Sequence, residues 1–545
     1  MKYIIIGAVA GGASAAARLR RLDEAAAIVL FEKGAYISYA NCGLPYYIGE
    51  VIEKREKLFV QTAASFNQRF RIDVRIKTEI LSIDPKLKKV TALRLDTGEK
   101  YEEHYDKLIL SPGAEPIRPP LPGISLPGIF TLRNVADTDL IKAYVDRFRN
   151  GKAVVVGAGF IGLEMAENLH ALGMDVTIIE MGNQILAPLD TAMARMVENH
   201  VIAKGVHLKL EQAVSGFSEA NGAISVMLQS GETLPADVVM LSIGVRADTR
   251  LAAAAGLRIG EAKGIWVNEY LQTSDASIYA VGDAIEFPNP ITGKSMNTYL
   301  AGPANKQGRI CANNVVLGNQ FKYEGAINTA IVKVFDLTVG SAGMASKHLK
   351  AAGMAHQVSI THSGSHAGYY PGAQQMSIQL AFSPSGSMLG AQVVGYEGAD
   401  KRLDVLSGII QNKGNISDLT DFEHAYAPPY SSAKDPVNIA GFVAENILTE
   451  RVRTVQWDEI AATDFFILDV RTAAEFAKGA LPHAVNIPVD TLRGRLSEIP
   501  NDRKILVYCQ VGLRGYLAYR ILAQCGYNQL YNLSGGYTTW SAAVR

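Results

Sequence analysis

One pattern occurs twice in this chain, and no other feature limits its fold so strongly. Tyr3-Ile4-Ile5-Ile6 is a short continuous apolar run, as expected of a parallel strand buried on both faces. Gly7-Ala8-Val9-Ala10-Gly11-Gly12 follows, then an Ala- and Arg-rich helix, then Ile28-Val29-Leu30-Phe31, which Glu32 closes 20 residues after Gly12. In such a layout glycines let the backbone approach a pyrophosphate, the helix N-terminus offers N–H donors, and the acid holds a ribose hydroxyl. Val9 stands at the second glycine position, so this fingerprint is imperfect. The flanking strands and the correctly spaced acid separate it from an ordinary tight turn. The pattern returns with all three glycines: Ala153-Val154-Val155-Val156, then Gly157-Ala158-Gly159-Phe160-Ile161-Gly162, a helix, and Val176-Thr177-Ile178-Ile179 ending in Glu180. Two βαβ units predict an α/β chain with two Rossmann-like domains and two dinucleotides. An acid at the second strand's end favours the free 2′-hydroxyl of NADH, because a 2′-phosphate would be repelled and prefers Arg. Neighbouring Met181 and Gly182 offer no cation.

Composition narrows the class further. At roughly 100–200 residues per domain, 545 residues suggest about three to five domains. Apolar residues at 48% exclude a disordered chain, and 53 Lys+Arg against 53 Asp+Glu argues against nucleic acid as a partner. Cys42, Cys311, Cys509 and Cys525 are too few for a disulfide framework, so a reduced, cytoplasmic protein is expected. The apolar stretch from Tyr3 to Ala17 mimics a signal peptide, yet Arg18, Arg20 and Arg21 follow at once and the stretch opens the first βαβ unit. No run reaches the ~18 apolar residues of a membrane span, so no membrane partner is expected, and no metal site either.

Ile278-Tyr279-Ala280-Val281-Gly282-Asp283 is a strand ending in Gly-Asp, and with it the chain resembles the two-dinucleotide flavoprotein disulfide reductases. Ser111-Pro112-Gly113-Ala114-Glu115-Pro116 and Ser242-Ile243-Gly244-Val245-Arg246 resemble that superfamily's two crossover connections. The resemblance implies FAD bound by residues 1–114 and 247–321, with an NADH domain at 115–246 inserted between. It places Asp283 against the flavin's ribityl chain, and Gly113, Gly244, Gly282 and Ala301 at the cofactors. A dimerisation domain would occupy 322–448.

Ser38-Tyr39-Ala40-Asn41-Cys42-Gly43-Leu44-Pro45-Tyr46-Tyr47 carries one cysteine where glutathione-reductase relatives have a C-x4-C pair, with Tyr47 at the second position. A lone thiol cannot close an internal disulfide, so it must cycle through a mixed disulfide, a persulfide or a sulfenic acid. Its polar surroundings argue against the alternative, a buried small hydrophobe. A nearby helix N-terminus and the cations Arg18 and Arg21 are expected to favour its thiolate. The segment resembles coenzyme A-disulfide reductases. That resemblance implies coenzyme A held by Ser14, Arg18, Arg21, Ser38, Asn41 and Lys434, with arginines gripping phosphates bidentately. Tyr426-Ala427-Pro428-Pro429-Tyr430-Ser431-Ser432-Ala433-Lys434-Asp435-Pro436 resembles the family's carboxy-terminal motif. By resemblance, Tyr426 from the partner subunit joins the proton chemistry at Cys42. A second tyrosine, Tyr369 in preference to Tyr370, joins it, so the site would need a homodimer.

After residue 455 the chain starts again. Ile467-Leu468-Asp469-Val470-Arg471 and Lys504-Ile505-Leu506-Val507-Tyr508 are strands, the latter ending at Cys509-Gln510-Val511-Gly512-Leu513-Arg514-Gly515, with a helix expected from Tyr516. Successive N–H groups curling around a cysteine make an anion nest suited to a thiolate or a terminal persulfide. Residues 455–545 resemble a rhodanese, with Cys509 the sulfur carrier and Arg514 at the substrate; Asp469 and Arg471 would orient the loop, and Cys525 would pack. The joint expectation is an FAD-dependent NADH:coenzyme A-persulfide or polysulfide reductase, also acting on coenzyme A disulfide. An NADH oxidase or peroxidase cycling through a sulfenic acid is the alternative.

Overall fold

In the computed structural model, which describes residues 1–220, 222–462 and 464–544, the first βαβ unit opens a five-stranded parallel sheet. Its order is Ile278–Ala280, Lys107–Leu110, Lys2–Ile6, Ala27–Phe31 and Asp73–Arg75. Ile4 pairs with both Val29 and Leu108. Strand Lys2–Ile6 is central, and Tyr3, Ile4 and Ile5 are almost fully buried. That burial on both faces is why the strand reads as an unbroken apolar run. The helix Ala10–Leu22 leaves the glycine loop and packs against helix Ala301–Leu317.

A second parallel sheet runs His207–Lys209, Asp175–Ile179, Lys152–Val156, Val238–Leu241 and Ile129–Phe130, again with the strand before the glycine loop at its centre. Each sheet is accompanied by a three-stranded antiparallel sheet. The two crossover segments pair as an antiparallel ribbon, Ala114–Pro116 on Val245–Ala247. These elements belong to a unit of Met1–Asn183 and Val206–Asn328.

The other unit comprises Gln184–Gly205 and Thr329–Arg545. Helix Thr191–Ala203 therefore joins this unit, although its sequence lies inside the second nucleotide fold. Its Asp190 cap explains the allegiance. The carboxylate accepts backbone N–H bonds from Ser346 and Lys347 and side-chain bonds from Gln379 and Gln392. A five-stranded antiparallel sheet of Ala330–Val334, Leu337–Gly343, Met388–Gly395, Gln375–Phe382 and Gln357–Gly364 carries helices Ala399–Gln411 and Pro436–Leu448. Beyond it a parallel sheet runs Thr454–Val455, Leu530–Leu533, Ile505–Tyr508, Phe466–Asp469 and Val485–Asn486. Among the described residues, no helix is long and apolar enough to cross a membrane.

Candidate active sites

A cleft of about 920 Å³ opens above the first sheet's glycine loop. Small-molecule sites run to roughly 300–1,000 Å³, so a cleft of this size has room for a dinucleotide. Gly7, Val9, Gly11, Glu32, Gly113, Gly282, Asp283 and Ala301 line it, together with Asn41 and Cys42. Gly7 is at φ +95, and a Cβ there would lie 2.0 Å from the Ser111 carbonyl oxygen. Gly12 lies within helix Ala10–Leu22, where a Cβ would strike the Gly7 carbonyl at 1.8 Å, so it serves helix–loop packing. Gly162 has the same relation to Gly157, at 2.0 Å.

The two acids are held identically. Glu32 accepts N–H bonds from Ala8 (3.0 Å) and Gly34 (2.8 Å), and Glu180 accepts them from Ala158 and Gly182 (2.8 Å each). A carboxylate has about four acceptor sites, so each keeps capacity for ribose hydroxyls. Helices Ala10–Leu22 and Phe160–Ala171 have no side-chain cap, which leaves their first-turn N–H groups for an anion. At Gly159 a Cβ would meet nothing within 4 Å, leaving open space above the loop for a pyrophosphate. Gly244 adopts φ +108 on the crossover.

Burial pushes Asp283 and Glu32 up, and Arg133 opposes the shift at both. Arg133, which no motif marked, also lines the cleft, and its Nε is buried without a hydrogen-bond partner. Gly113, at φ +79, makes room for its guanidinium, because a Cβ would lie 2.6 Å from Nη2. An orphaned cationic donor beside an uncapped helix end fits the diphosphate of FAD.

Cys42 sits in the 3₁₀ turn Asn41–Gly43, exposed on the cleft wall and followed by helix Leu44–Ile48. Its charge environment differs from the expected one. Burial pushes the thiol up, and the carboxylates of Glu164 and Asp283 push it further; Arg18 and Arg21 play no part. The reason is topological: the arginine helix turns its polar face to helix Ala301–Leu317. There Ser14 Oγ donates to Asn305 and Arg18 Nε to Asn313 (2.9 Å). Partial burial, then Arg309 and Arg21, lower Arg18, so three guanidiniums converge on a surface suited to phosphates. Arg309 escaped sequence reasoning because only helix packing brings it there. Arg20 differs, donating to the carbonyls of Phe70, Asp23, Glu24, Ala26 and Arg71 as a structural cap. Ser38, at φ +43, bonds its N–H to the Ala8 carbonyl and anchors the Cys42 loop to the glycine loop.

Glu164 was also unmarked by any motif. It lies on the first helix of the second fold and accepts a bond from Tyr46, four residues beyond Cys42 (3.2 Å). Burial raises its carboxyl to about 7; the Tyr46 bond opposes that shift and Glu167 adds to it.

In the other unit the hydroxyls of Tyr369 and Tyr426 are 3.0 Å apart, and this bond raises Tyr369 above its ordinary value. Tyr370 turns edge-on to His366 instead. Lys434 is exposed nearby in sequence, one residue before the helix cap Asp435.

Cys509 directly follows strand Ile505–Tyr508, fully buried, and its Sγ accepts the Gly512 N–H at 3.2 Å. The following helix begins at Leu513, earlier than the expected Tyr516, because Gly512 takes φ +104 and turns the chain at once. Arg514 is forked onto Glu475 (2.6 and 2.7 Å), which also caps the helix after Thr472. Arg471 pairs with Asp469, lies over the Tyr537 ring at 4.1 Å and reaches Gln510 of the loop. Cys525 corrects expectation: it is exposed at the helix C-cap and does not pack. Cys311 is fully buried and its thiol strongly raised by burial.

Two nucleotide folds, a cleft-wall thiol and a dimerisation-type sheet define a class, and the chain belongs to the pyridine nucleotide-disulphide oxidoreductase family, whose model matches residues 1–308. The family's dimerisation domain matches residues 329–436, and a rhodanese-like domain matches 453–543. Within that family, the coenzyme A disulfide reductase of Staphylococcus haemolyticus (strain JCSC1435) is 35% identical over 447 residues, 82% of this chain and 100% of the relative. The crystal structure of reduced Bacillus anthracis CoADR-RHD aligns with TM-score 0.97 and 46% identity over 99% of this chain and 98% of that one. A NAD-dependent persulfide reductase from A. fulgidus aligns with TM-score 0.93 and 40% identity over 99% and 100%.

Proposed function

We propose that the protein is an NADH-driven, FAD-dependent reductase of coenzyme A persulfide or polysulfide, also acting on coenzyme A disulfide. Cys42 is its single redox thiol, and Cys509 carries sulfane sulfur. The observation that carries this reading is that Cys42, unpartnered by any other cysteine, lines the same cleft as Gly7, Glu32 and Asp283. Residues 1–114 and 247–321 are assigned to FAD, 115–246 to NADH, 322–448 to dimerisation and 455–545 to sulfur transfer. FAD, held by the first glycine loop, Glu32 and Arg133, would supply two-electron transfer from NADH to sulfur.

The chain's own residues do the rest. Uncapped helix ends, Arg133 and the two acids hold the dinucleotides, and Glu180 selects NADH by refusing a 2′-phosphate. Ser14, Arg18, Arg21 and Lys434 hold coenzyme A phosphates. The Cys42 thiolate attacks the inner sulfur of coenzyme A persulfide, giving a Cys42–coenzyme A disulfide and releasing HS⁻. Two electrons cleave that disulfide and restore the thiolate. The partner subunit's Tyr426 delivers a proton to the departing sulfur, with Tyr369 relaying through its hydroxyl. The balance is NADH, one proton and the persulfide giving NAD⁺, coenzyme A and H₂S. Cys509 charges the pantetheine thiol with sulfane sulfur. The protein acts as a homodimer on a small thiol substrate, with each site shared between subunits. Four free cysteines suit the reducing cytoplasm.

The test is anaerobic NADH oxidation compared across coenzyme A persulfide, polysulfide, coenzyme A disulfide and hydrogen peroxide, with wild type and Cys42→Ser. Coenzyme A persulfide should give the highest kcat/KM, and Cys42→Ser should keep an NADH-reducible flavin yet lose turnover. Preference for peroxide would move the protein to the sulfenic-acid cycle.

A further inference from the structure

Tyr369 and Tyr426 meet although 57 residues separate them and they are 76% and 48% exposed. Two irregular segments must therefore be held in register from beneath. Arg402, on helix Ala399–Gln411 and only 1% exposed, lies under both. Its Nη2 donates to the Ser365 carbonyl (3.0 Å), four residues before Tyr369, and to the Tyr430 carbonyl (3.3 Å), four residues after Tyr426. The same nitrogen bonds Ser431 Oγ (3.2 Å) and Asp435 Oδ2 (2.8 Å), and Nε spans both Asp435 oxygens. Ala367 then donates directly to the Ser431 carbonyl (3.0 Å). Gly398, at φ +77, clears the space, since a Cβ would lie 2.4 Å from Arg402 Nη1. Asp435, fully buried, also caps helix Pro436–Leu448 through the Val437 N–H. One planar guanidinium thus ties both tyrosine segments to one helix start.

We propose that Arg402, through its buried pair with Asp435, is the positioning residue that assembles the Tyr369–Tyr426 pair for proton delivery to sulfur. This rests on the reading of those tyrosines as proton carriers. Arg402 itself reaches no reacting atom. A lysine would keep the charge but lose the fork that binds two segments at once.

The experiment measures anaerobic NADH oxidation by the holoenzyme with coenzyme A persulfide for Arg402→Lys, Tyr426→Phe and the double variant. Misplacement of a proton donor by about an ångström predicts a kcat loss of about 10- to 100-fold in Arg402→Lys, with KM nearly unchanged. Thiosulfate-to-cyanide transfer at Cys509, in the same unit, should stay at the wild-type rate and reports that the unit is folded. In the Tyr426→Phe background the lysine should add no further loss, because both act through one hydroxyl pair. The milder Ser431→Ala, which removes one contact, should show a smaller loss with the same non-additivity, and it carries the test if Arg402→Lys does not fold. Wild-type kcat in folded Arg402→Lys beside an impaired Tyr426→Phe overturns the proposal, as do losses that multiply. A fully active Tyr426→Phe single variant brings down the tyrosine reading itself, and the proposal with it.

Discussion

At Cys42 the electrostatics run against the usual activation of a thiol. A reactive cysteine is ordinarily placed among cations, whereas this one faces Glu164 and Asp283 and is raised by burial as well. Such a site disfavours the thiolate and makes attack depend on pH. Glu164 is the group to vary, because it ionises near the working range, at about 7, and is tied to Tyr46 beside the thiol. The sign follows from charge: an ionised neighbour disfavours the thiolate, so Glu164→Gln lowers the thiol's pKa. The acid limb of kcat/KM for coenzyme A disulfide should then move to lower pH. An unmoved limb would show that Glu164 does not act on the thiol. Neither Glu164 nor Arg133 was legible beforehand. The glycine loops, Glu32, Glu180 and Cys42 lie in contiguous motifs, but Arg133 reaches the cleft, and Glu164 reaches Tyr46, only through the fold.

Among elements, strand Gln357–Gly364 has two tasks. Its C-terminal end leads into the loop bearing Tyr369, and its His362 reaches the helix Gly536–Ala543, whose first turn bonds the Cys509 loop. His362 bonds Thr539 Oγ1 and Ser377 Oγ (2.8 Å each), and burial lowers it to about 4, partly offset by the Gly535 backbone. Tyr537 and Thr538 of that helix donate to the carbonyls of Cys509 and Gln510. The ring is therefore neutral in the fold, while an unfolded chain protonates it below its ordinary value of 6.5. Between pH 6.5 and about 4 the unfolded state binds the extra proton, so stability is full above this window and falls with acid. The loss amounts to about 3 kcal/mol at about 1.4 kcal/mol per pH unit. Urea midpoints read by tryptophan fluorescence should drop across this window in wild type and less steeply in His362→Ala; equal slopes would refute the assignment. This link was invisible in the sequence, where His362 belongs to no motif. The same holds for helix Thr191–Ala203, whose partners Gln379 and Gln392 lie far along the chain. By contrast strands Lys2–Ile6, Ala27–Phe31, Lys152–Val156 and Asp175–Ile179 were legible, because burial on two faces leaves an apolar run. The start of helix Leu513–Gln524 was misplaced because a positive φ at Gly512 lets the helix begin inside the loop.

For the whole molecule, the question is how two cysteine chemistries on one chain are divided. Cys509→Ser removes the only thiol in its N–H nest, so thiosulfate-to-cyanide transfer should disappear while NADH-driven reduction of coenzyme A disulfide continues at the wild-type rate. Joint loss would mean that the two centres form a single catalytic path. Shared sites can be tested by subunit mixing. If each site combines Cys42 of one subunit with the partner subunit's Tyr426, homodimers of Cys42→Ser and of Tyr426→Phe are both impaired. Unfolding and refolding an equimolar mixture gives about half heterodimers, and in each of these one site has both wild-type residues and the other has neither. Activity should therefore return to about one quarter of wild type. A site built within one chain would recover nothing, since every chain in the mixture carries a lesion. Size-exclusion chromatography of the refolded mixture separates failure to dimerise from failure to complement. A dimer that recovers no activity would require Cys42 and Tyr426 to work within one subunit.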